Sequence, residues 1–232
     1  MTSAAIAIFT NGAKGYSALQ LSRDLDVQYK TAFVMAHKLR EAMGAAADRS
    51  PLDGEVEVDG AYFGGYVKPA NQVENRRDRR KAENQTGKRQ VVVIMRERDG
   101  RTLPFVTKTE KEGVAFVRQF VKADATIHAD EASHWDALGI KFKTMRINHS
   151  EAYSLDGACT NYAESFFSRI RRAEIGTHHH VAGKYLDAYA NEMAWRENHR
   201  RVSNGEQFMM IVGSALDHPV SRKWKGYWQR VA

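Results

Sequence analysis

Three acidic side chains, Asp59, Asp130 and Glu164, have the type and spacing to do chemistry together. Asp59 closes the run Glu55-Val56-Glu57-Val58-Asp59. A strand's side chains alternate between its faces, so Glu55, Glu57 and Asp59 share one face and Val56 and Val58 take the other, facing a core. A carboxylate row on a half-buried strand needs compensating positive charge, and a divalent cation is one candidate. A solvent-facing edge strand is the other reading. Asp130 ends the short strand pattern Ala125–Asp130, and Glu164 lies in the helical pattern Thr160–Arg172. From such positions all three can reach a common point at one edge of a sheet. Phosphodiester chemistry has use for that arrangement. The backbone is charged, the leaving group is an alkoxide and water is a poor nucleophile at neutral pH. Two Mg²⁺ or Mn²⁺ ions held by three carboxylates answer all three difficulties without a covalent nucleophile. Three acids can always be chosen from 28, so the elements around them carry much of the weight.

Those elements alternate. After the Glu55 strand and its Gly64-Gly65 turn comes the apolar run Gln90–Met95, then a turn at Asp99-Gly100 and a return strand Leu103–Val106. A helix follows over Glu112–Lys122, then the Asp130 strand, a brief helix over Trp135–Leu138 and a strand over Lys141–Ile147. This order predicts a mixed sheet with helices on its faces, an α/β domain of ribonuclease-H-like type. In the Thr160–Arg172 helix, Tyr162, Phe166 and Ile170 form an apolar stripe, and Glu164, Ser168 and Arg171 share another face. Long helices are expected over Lys184–Arg201 and around Glu206–Leu216.

Ahead of this domain, residues 17–43 read as two helices about a break at Asp26-Val27. Ser17 is a plausible N-cap, and Ala32, Ala36, Leu39 and Met43 form a core-facing stripe on the second helix. Gln28, Tyr29, Lys30 and Thr31 start that helix, where a recognition helix meets base edges and phosphates. The pair is either a helix-turn-helix or an ordinary helical hairpin. Gly44–Leu52 is a small-residue, Pro-containing joint. The expected organisation is a helix-turn-helix segment over 1–50, a catalytic domain over 51–205 and a basic helical tail over 206–232.

Net charge is +7, which suits a polyanionic partner. Most of the excess lies in Lys68–Gln90, with eight basic residues, among them Arg76, Arg77, Arg79 and Arg80, against three acidic ones. The segment lacks apolar periodicity and reads as a loop able to grip phosphates, or as a solvated one. A single cysteine, Cys159, excludes an intramolecular disulfide or a Cys-rich zinc module in this chain. It is expected to be a buried small residue. No apolar run reaches membrane-spanning length, and the apolar patch Ala4–Phe9 lacks a basic flank, so no signal peptide is expected and the chain is expected to be cytoplasmic. His178-His179-His180 is expected to be a loop contacting DNA or solvent. Lys223, Trp224, Lys225, Tyr227, Trp228 and Arg230 either stack on single-stranded DNA or dock on the core or another subunit.

Taken in order, these pieces resemble bacterial DDE-type insertion-sequence transposases, and within them the ISXO-like family, numbered fifteen-ninety-five. The matching residues are Val56-Glu57-Val58-Asp59 with Tyr62 and Gly64-Gly65; Asp130-Glu131; and Thr160-Asn161-Tyr162-Ala163-Glu164-Ser165-Phe166. They continue through Gly176-Thr177-His178-His179, Tyr185-Leu186 and Tyr189 to Asn191-Glu192, Trp195-Arg196 and Asn198-His199-Arg200. The resemblance covers most of residues 17–201. It implies an RNase H-like core that cuts element ends and joins them to target DNA, with Mg²⁺ or Mn²⁺ at two sites. It also implies double-stranded DNA (element ends and target) as partner and a homo-oligomer assembled on that DNA. Asp59 and Asp130 would be the first two metal ligands and Glu164 the third, with Asn161 the alternative. Arg171, with Arg172 beside it, would contact DNA phosphate. Three departures stand out. Gly60 sits where an acid often follows the first Asp, Arg171 replaces the more usual Lys, and cysteines for the family's N-terminal zinc ribbon are absent. A shortened copy, acting as an inactive DNA-binding repressor, and an RNase H-like nuclease on another substrate are the rival readings.

Overall fold

A computed structural model describes residues 3–65, 68–78, 82–84, 87–147, 157 and 159–230. Its centre is a five-stranded mixed sheet in the order β3-β2-β1-β4-β5. The strands are β1 (Glu55–Phe63), β2 (Gln90–Glu97), β3 (Thr102–Thr107), β4 (Thr126–Asp130) and β5 (Lys143–Ile147). β1 pairs antiparallel with β2, and β2 with β3; β1 pairs parallel with β4, and β4 with β5. The helices are α1 (Ser3–Asn11), α2 (Ala18–Asp24), α3 (Tyr29–Ala45), α4 (Glu110–Phe120), α5 (Asn161–Ala173), α6 (Gly183–Asn198) and α7 (Asn204–Asp217). This is the ribonuclease-H-like arrangement, a mixed sheet with helices on its faces and a helical segment ahead of it.

The edge-strand reading of β1 is wrong: β1 is the middle strand and both its faces are covered. Val56 and Val58 pack with Val93, Met95 and Ile127 against Val114 and Val117 of α4. On the opposite face Ala61 and Phe63 pack with Val92 and Ile94 against Phe166, Phe167 and Ile170 of α5 and Leu186 and Met193 of α6. The sheet is therefore a filled layer between helices, and the acidic face of β1 looks at α5.

The expected helical pair before β1 is present. Ser17 caps α2 by accepting from the Gln20 amide at 3.0 Å, and Asp26 takes a left-handed turn with φ 49°. Ala32, Ala36, Leu39 and Met43 of α3 do face a core, one they share with Ile6 and Phe9 of α1, Trp195 of α6 and Ile211 of α7. The apolar patch Ala4–Phe9 is thus helix α1, not a loose end. The segments 1–50, 51–205 and 206–232 all contribute to this single cluster, because α6 runs from the sheet into it.

Buried ion pairs reinforce that joint. Arg40 of α3 donates to Glu192 of α6 at 2.6 Å, and Arg196 donates to the same carboxylate at 2.9 Å while its other nitrogens donate to the Phe9 and Thr10 carbonyls at the end of α1. Further along α6, Glu197 accepts from Arg96 of β2 at 2.9 Å and pairs with Arg169 of α5. The Asn191–Arg200 signature is in this respect structural wiring between the sheet and the N-terminal helices. His178, part-buried, joins the wiring: it ends a π turn, Glu174–His178, and lies against Gly15 and edge-on to Tyr189. Burial and the nearby arginines push its pKa down to about 4 although Glu192 opposes them. His179 and His180 are exposed. Among the described residues no helix is long and apolar enough to cross a membrane.

Candidate active site

The row of carboxylates on β1 divides into two environments. Glu55 and Glu57 are neutralised by one cation, Arg98, which pairs with Glu55 and reaches Glu57 at 3.3 Å from just beyond β2. Glu57 is fully buried, and its Oε2 accepts from the backbone amides of Tyr162 at 2.8 Å and Ala163 at 3.1 Å. Those are first-turn amides of α5, which lack partners inside the helix. No side chain of α5's own N-cap residue, Thr160, does this work. Glu57 is therefore the cap that fixes where α5 begins, and hence where Glu164, one residue past Ala163, stands. Its period-two spacing on the strand was visible; its partner was not. Cys159 is half-buried beside the same cluster, accepting from Arg98 at 2.9 Å.

Two residues further along the same face, no cation among the described residues acts on Asp59 as Arg98 does on Glu57. Its Oδ1 accepts from the Gly60 amide at 2.7 Å. Removal from water above all, then Asp130, Glu110 and Glu164, push its pKa up to about 7 while the Gly60 amide opposes them. The topology explains the company. In the parallel β1–β4 pair Val58 lies opposite Ala129, which puts Asp59 and Asp130 side by side at the next step. Asp130 itself is held by the Ala132 amide at 3.2 Å. Glu164 comes from the first turn of α5 and is exposed, as is Asn161 at the helix start.

Glu110 is the residue the sequence reading missed. It opens α4, and its side chain lies over Gly60: a Cβ at position 60 would stand 2.6 Å from Glu110 Cγ. The position after Asp59 thus lacks an acid of its own, and a carboxylate from another element occupies the room. Burial and Asp130 raise the Glu110 pKa, and Arg89 opposes them. His134 Nε2 lies 3.4 Å from the Glu110 carboxylate. The only signal in the sequence was Gly60 itself, a residue that permits close approach within a strand.

Basic side chains border this end of β1. The Gly64-Gly65 turn has φ of +72° and +67°, a left-handed path that glycine takes without strain. It leads into the basic segment, whose far end returns as β2 with Phe63 opposite Gln90. Arg89 lies 4.4 Å over the Tyr62 ring, and Arg171 of α5 is exposed within 6.0 Å of the Phe63 ring. Arg172 is exposed and donates to Ser168 at 2.8 Å. Arg76 and Arg77 are exposed in the loop, where Arg76 donates to the Ala70 carbonyl at 3.1 Å; Arg79 and Arg80 lie outside the described residues. Gln28, Tyr29, Lys30 and Thr31 are all exposed around the start of α3.

Among the described residues no three His, Cys, Asp or Glu side chains are gathered tightly enough to hold a metal ion as they stand. The donor set nonetheless suits a hard divalent cation. It is all carboxylate oxygen, and burial first and then the neighbouring acids raise the Asp59 pKa, so a cation there would relieve both.

No curated protein matches the chain in sequence. Among solved structures it is similar to a Mos1 strand transfer complex at 15% identity, covering 94% of this chain and 79% of that one, with a TM-score of 0.36. It is also similar to a Mos1 transposase paired-end complex with left transposon end, at 15% identity over 94% and 80% of the two chains, with a TM-score of 0.34. Residues 51–198, from the joint before β1 to the end of α6, match the ISXO2-like transposase domain, and the chain belongs to that family.

Proposed function

We propose that the chain is a DDE-type transposase that cuts the ends of an insertion sequence and transfers the freed strand to target DNA. The observation that carries this reading is the company of Asp59: a partly buried carboxyl in the field of three other carboxylates, Asp130, Glu110 and Glu164, drawn from β4, α4 and α5. Asp59, Asp130 and Glu164 would hold two divalent ions, Mg²⁺ or Mn²⁺, which when bound supply an activated oxygen nucleophile and neutralise the departing one. Asn161 is the alternative third ligand. Glu57 and Arg98 keep α5 in place, so that Glu164 is delivered from a fixed helix end. Glu110 adds a fourth carboxylate beside Asp130. Arg171 and Arg172, with Arg89 and the basic loop carrying Arg76, Arg77, Arg79 and Arg80, contact phosphates flanking the scissile bond. Gln28, Tyr29, Lys30 and Thr31 read duplex DNA at the element end, and the active assembly is a homo-oligomer on that DNA.

The test is a Mg²⁺- or Mn²⁺-dependent cleavage and strand-transfer assay on an oligonucleotide taken from the inverted repeats flanking the gene. Cleavage and joining that vanish in Asp59→Ala, with DNA binding retained, support the proposal. Cleavage that survives in Asp59→Ala removes the site assignment. Binding without cleavage in the wild type leaves the repressor reading, and cleavage without joining leaves the nuclease.

A further inference from the structure

The basic aromatic C-terminus is not a free tail. Trp224 is 2% exposed, stacked on His37 of α3 at 4.4 Å and edge-on to Phe33 at 6.0 Å. The Trp224 amide donates to Ser221 Oγ at 3.0 Å, Tyr227 bonds the Tyr185 hydroxyl, and Arg230 donates to the Lys225 carbonyl at 2.7 Å. The segment thereby forms one wall of a groove of about 520 Å³ whose other wall is α3, a volume in the range of small-ligand sites. Lys30, Lys38 and Lys225 border it, Val34 and Met35 supply an apolar floor, and none of the described residues lining it is acidic. Trp228 stands at its side 46% exposed, with the Lys30 ammonium 5.5 Å over its ring and its orientation fixed by three further contacts. Its Nε1 donates to the Lys30 carbonyl at 3.2 Å, and Phe33 and Tyr227 meet the ring edge-on at 5.7 and 5.3 Å.

We infer that this groove binds single-stranded DNA, with an unstacked base on the Trp228 ring and the adjoining phosphates at Lys30, Lys38 and Lys225. The inference rests on the reading of α3 as a DNA-facing helix and extends it to a second, strand-specific surface. A duplex phosphate track would use the lysines but not the apolar floor or the indole face. A splayed nucleotide uses all of them, because every base presents a π-face and every phosphate a charge. The ring is already held in place, so little ordering is required when the base arrives.

The experiment measures binding of a labelled oligo-dT and of a labelled duplex by fluorescence anisotropy, with Trp228→Ala, Trp228→Phe and the double variant Lys38→Ala with Lys225→Ala. Trp228→Ala is expected to weaken oligo-dT binding by roughly 5- to 150-fold, the range seen when a stacking aromatic is removed. Duplex affinity should change by no more than about twofold, since stacking makes no contribution there, and Trp228→Phe should restore most of the loss. The lysine pair should lower the salt dependence of oligo-dT binding by about 0.7 per lysine. Unchanged oligo-dT affinity in both Trp228→Ala and the lysine pair, with native circular dichroism and melting temperature, overturns the groove. Duplex binding without oligo-dT binding by the wild type overturns the groove alone. Binding of neither probe takes the DNA-facing reading of α3 down with it.

Discussion

Glu192 and Asp59 are acids withdrawn from water in one chain, and their protons behave in opposite ways. Glu192 is 1% exposed on α6, and burial opposes its charge. Arg40, Arg196 and His178 outweigh that cost and hold its pKa down to about 2. Asp59 receives one backbone amide and three acidic neighbours, and its pKa rises to about 7. Even along β1 the contrast repeats, since Glu57 has Arg98 and two helix amides. What separates the environments is the supply of cations, not burial. Among the described residues, guanidinium groups stand against the buried carboxylates Glu57, Glu192 and Glu197, whereas the groups acting on Asp59 besides the Gly60 amide are other carboxylates.

The largest break in that contrast is Asp59→Ala, expected to lower strand cleavage roughly 10³-fold while leaving duplex affinity unchanged; single-turnover cleavage and a binding titration check it. Next comes Glu192→Ala, which leaves Arg40 and Arg196 buried without their carboxylate and is expected to cost about 3–5 kcal/mol in thermal or urea unfolding. The pH dependence sharpens the comparison because the signs differ. The Glu192 pKa is depressed, so its contribution is complete above the usual glutamate value near 4.5 and fades as pH falls towards 2. The Asp59 pKa is raised, so its charge costs nothing below the usual value near 3.8, and the cost grows as pH rises to about 7. Asp59→Asn should therefore melt higher than wild type at pH 8 and equally at pH 4. Addition of Mg²⁺ at pH 8 should raise the melting temperature of the wild type but not that of Asp59→Asn.

A smaller effect is expected from Glu110→Gln, about a tenfold loss of cleavage from weakened support of the acidic cluster, with stability little changed. Gly60→Ala should displace Glu110 and produce a loss of the same size; unequal losses would separate the two residues. Smallest is Arg76→Ala. It should reduce duplex affinity slightly and the salt dependence by about one counterion.

Local patterns made much of this legible. The alternation over Glu55–Asp59, the apolar run that became β2, the turn at Asp99-Gly100 and the helical stripe of α5 all mark elements that formed within a few residues of where they were read, although of that stripe only Phe166 and Ile170 are buried and Tyr162 is exposed. Asp130 and Glu164 do fall at element ends, but Asp59, expected near the end of its strand, lies in the middle of β1, which continues to Phe63. What escaped lay in contacts between distant segments. The acidic face of β1 left open a solvent-facing edge strand or a cation-binding row, whereas Arg98 and the amides of α5 cover Glu57 on that face. Ala4–Phe9 gave no helical signal beyond its apolarity, yet it packs as α1 against Trp195 and Ile211. Glu110 carries no mark of its own, since its role depends on the missing side chain at Gly60.

The division has a physical cause. Backbone periodicity and turn chemistry act over a few residues, so the chain alone determined its strands, its helices and which face of each the acids share. Charge balance in a low-dielectric interior is a property of what approaches from elsewhere. Only the tertiary structure therefore decided that Glu57 would be a helix cap, Glu192 an ion-pair anchor and Asp59 the acid left facing other acids.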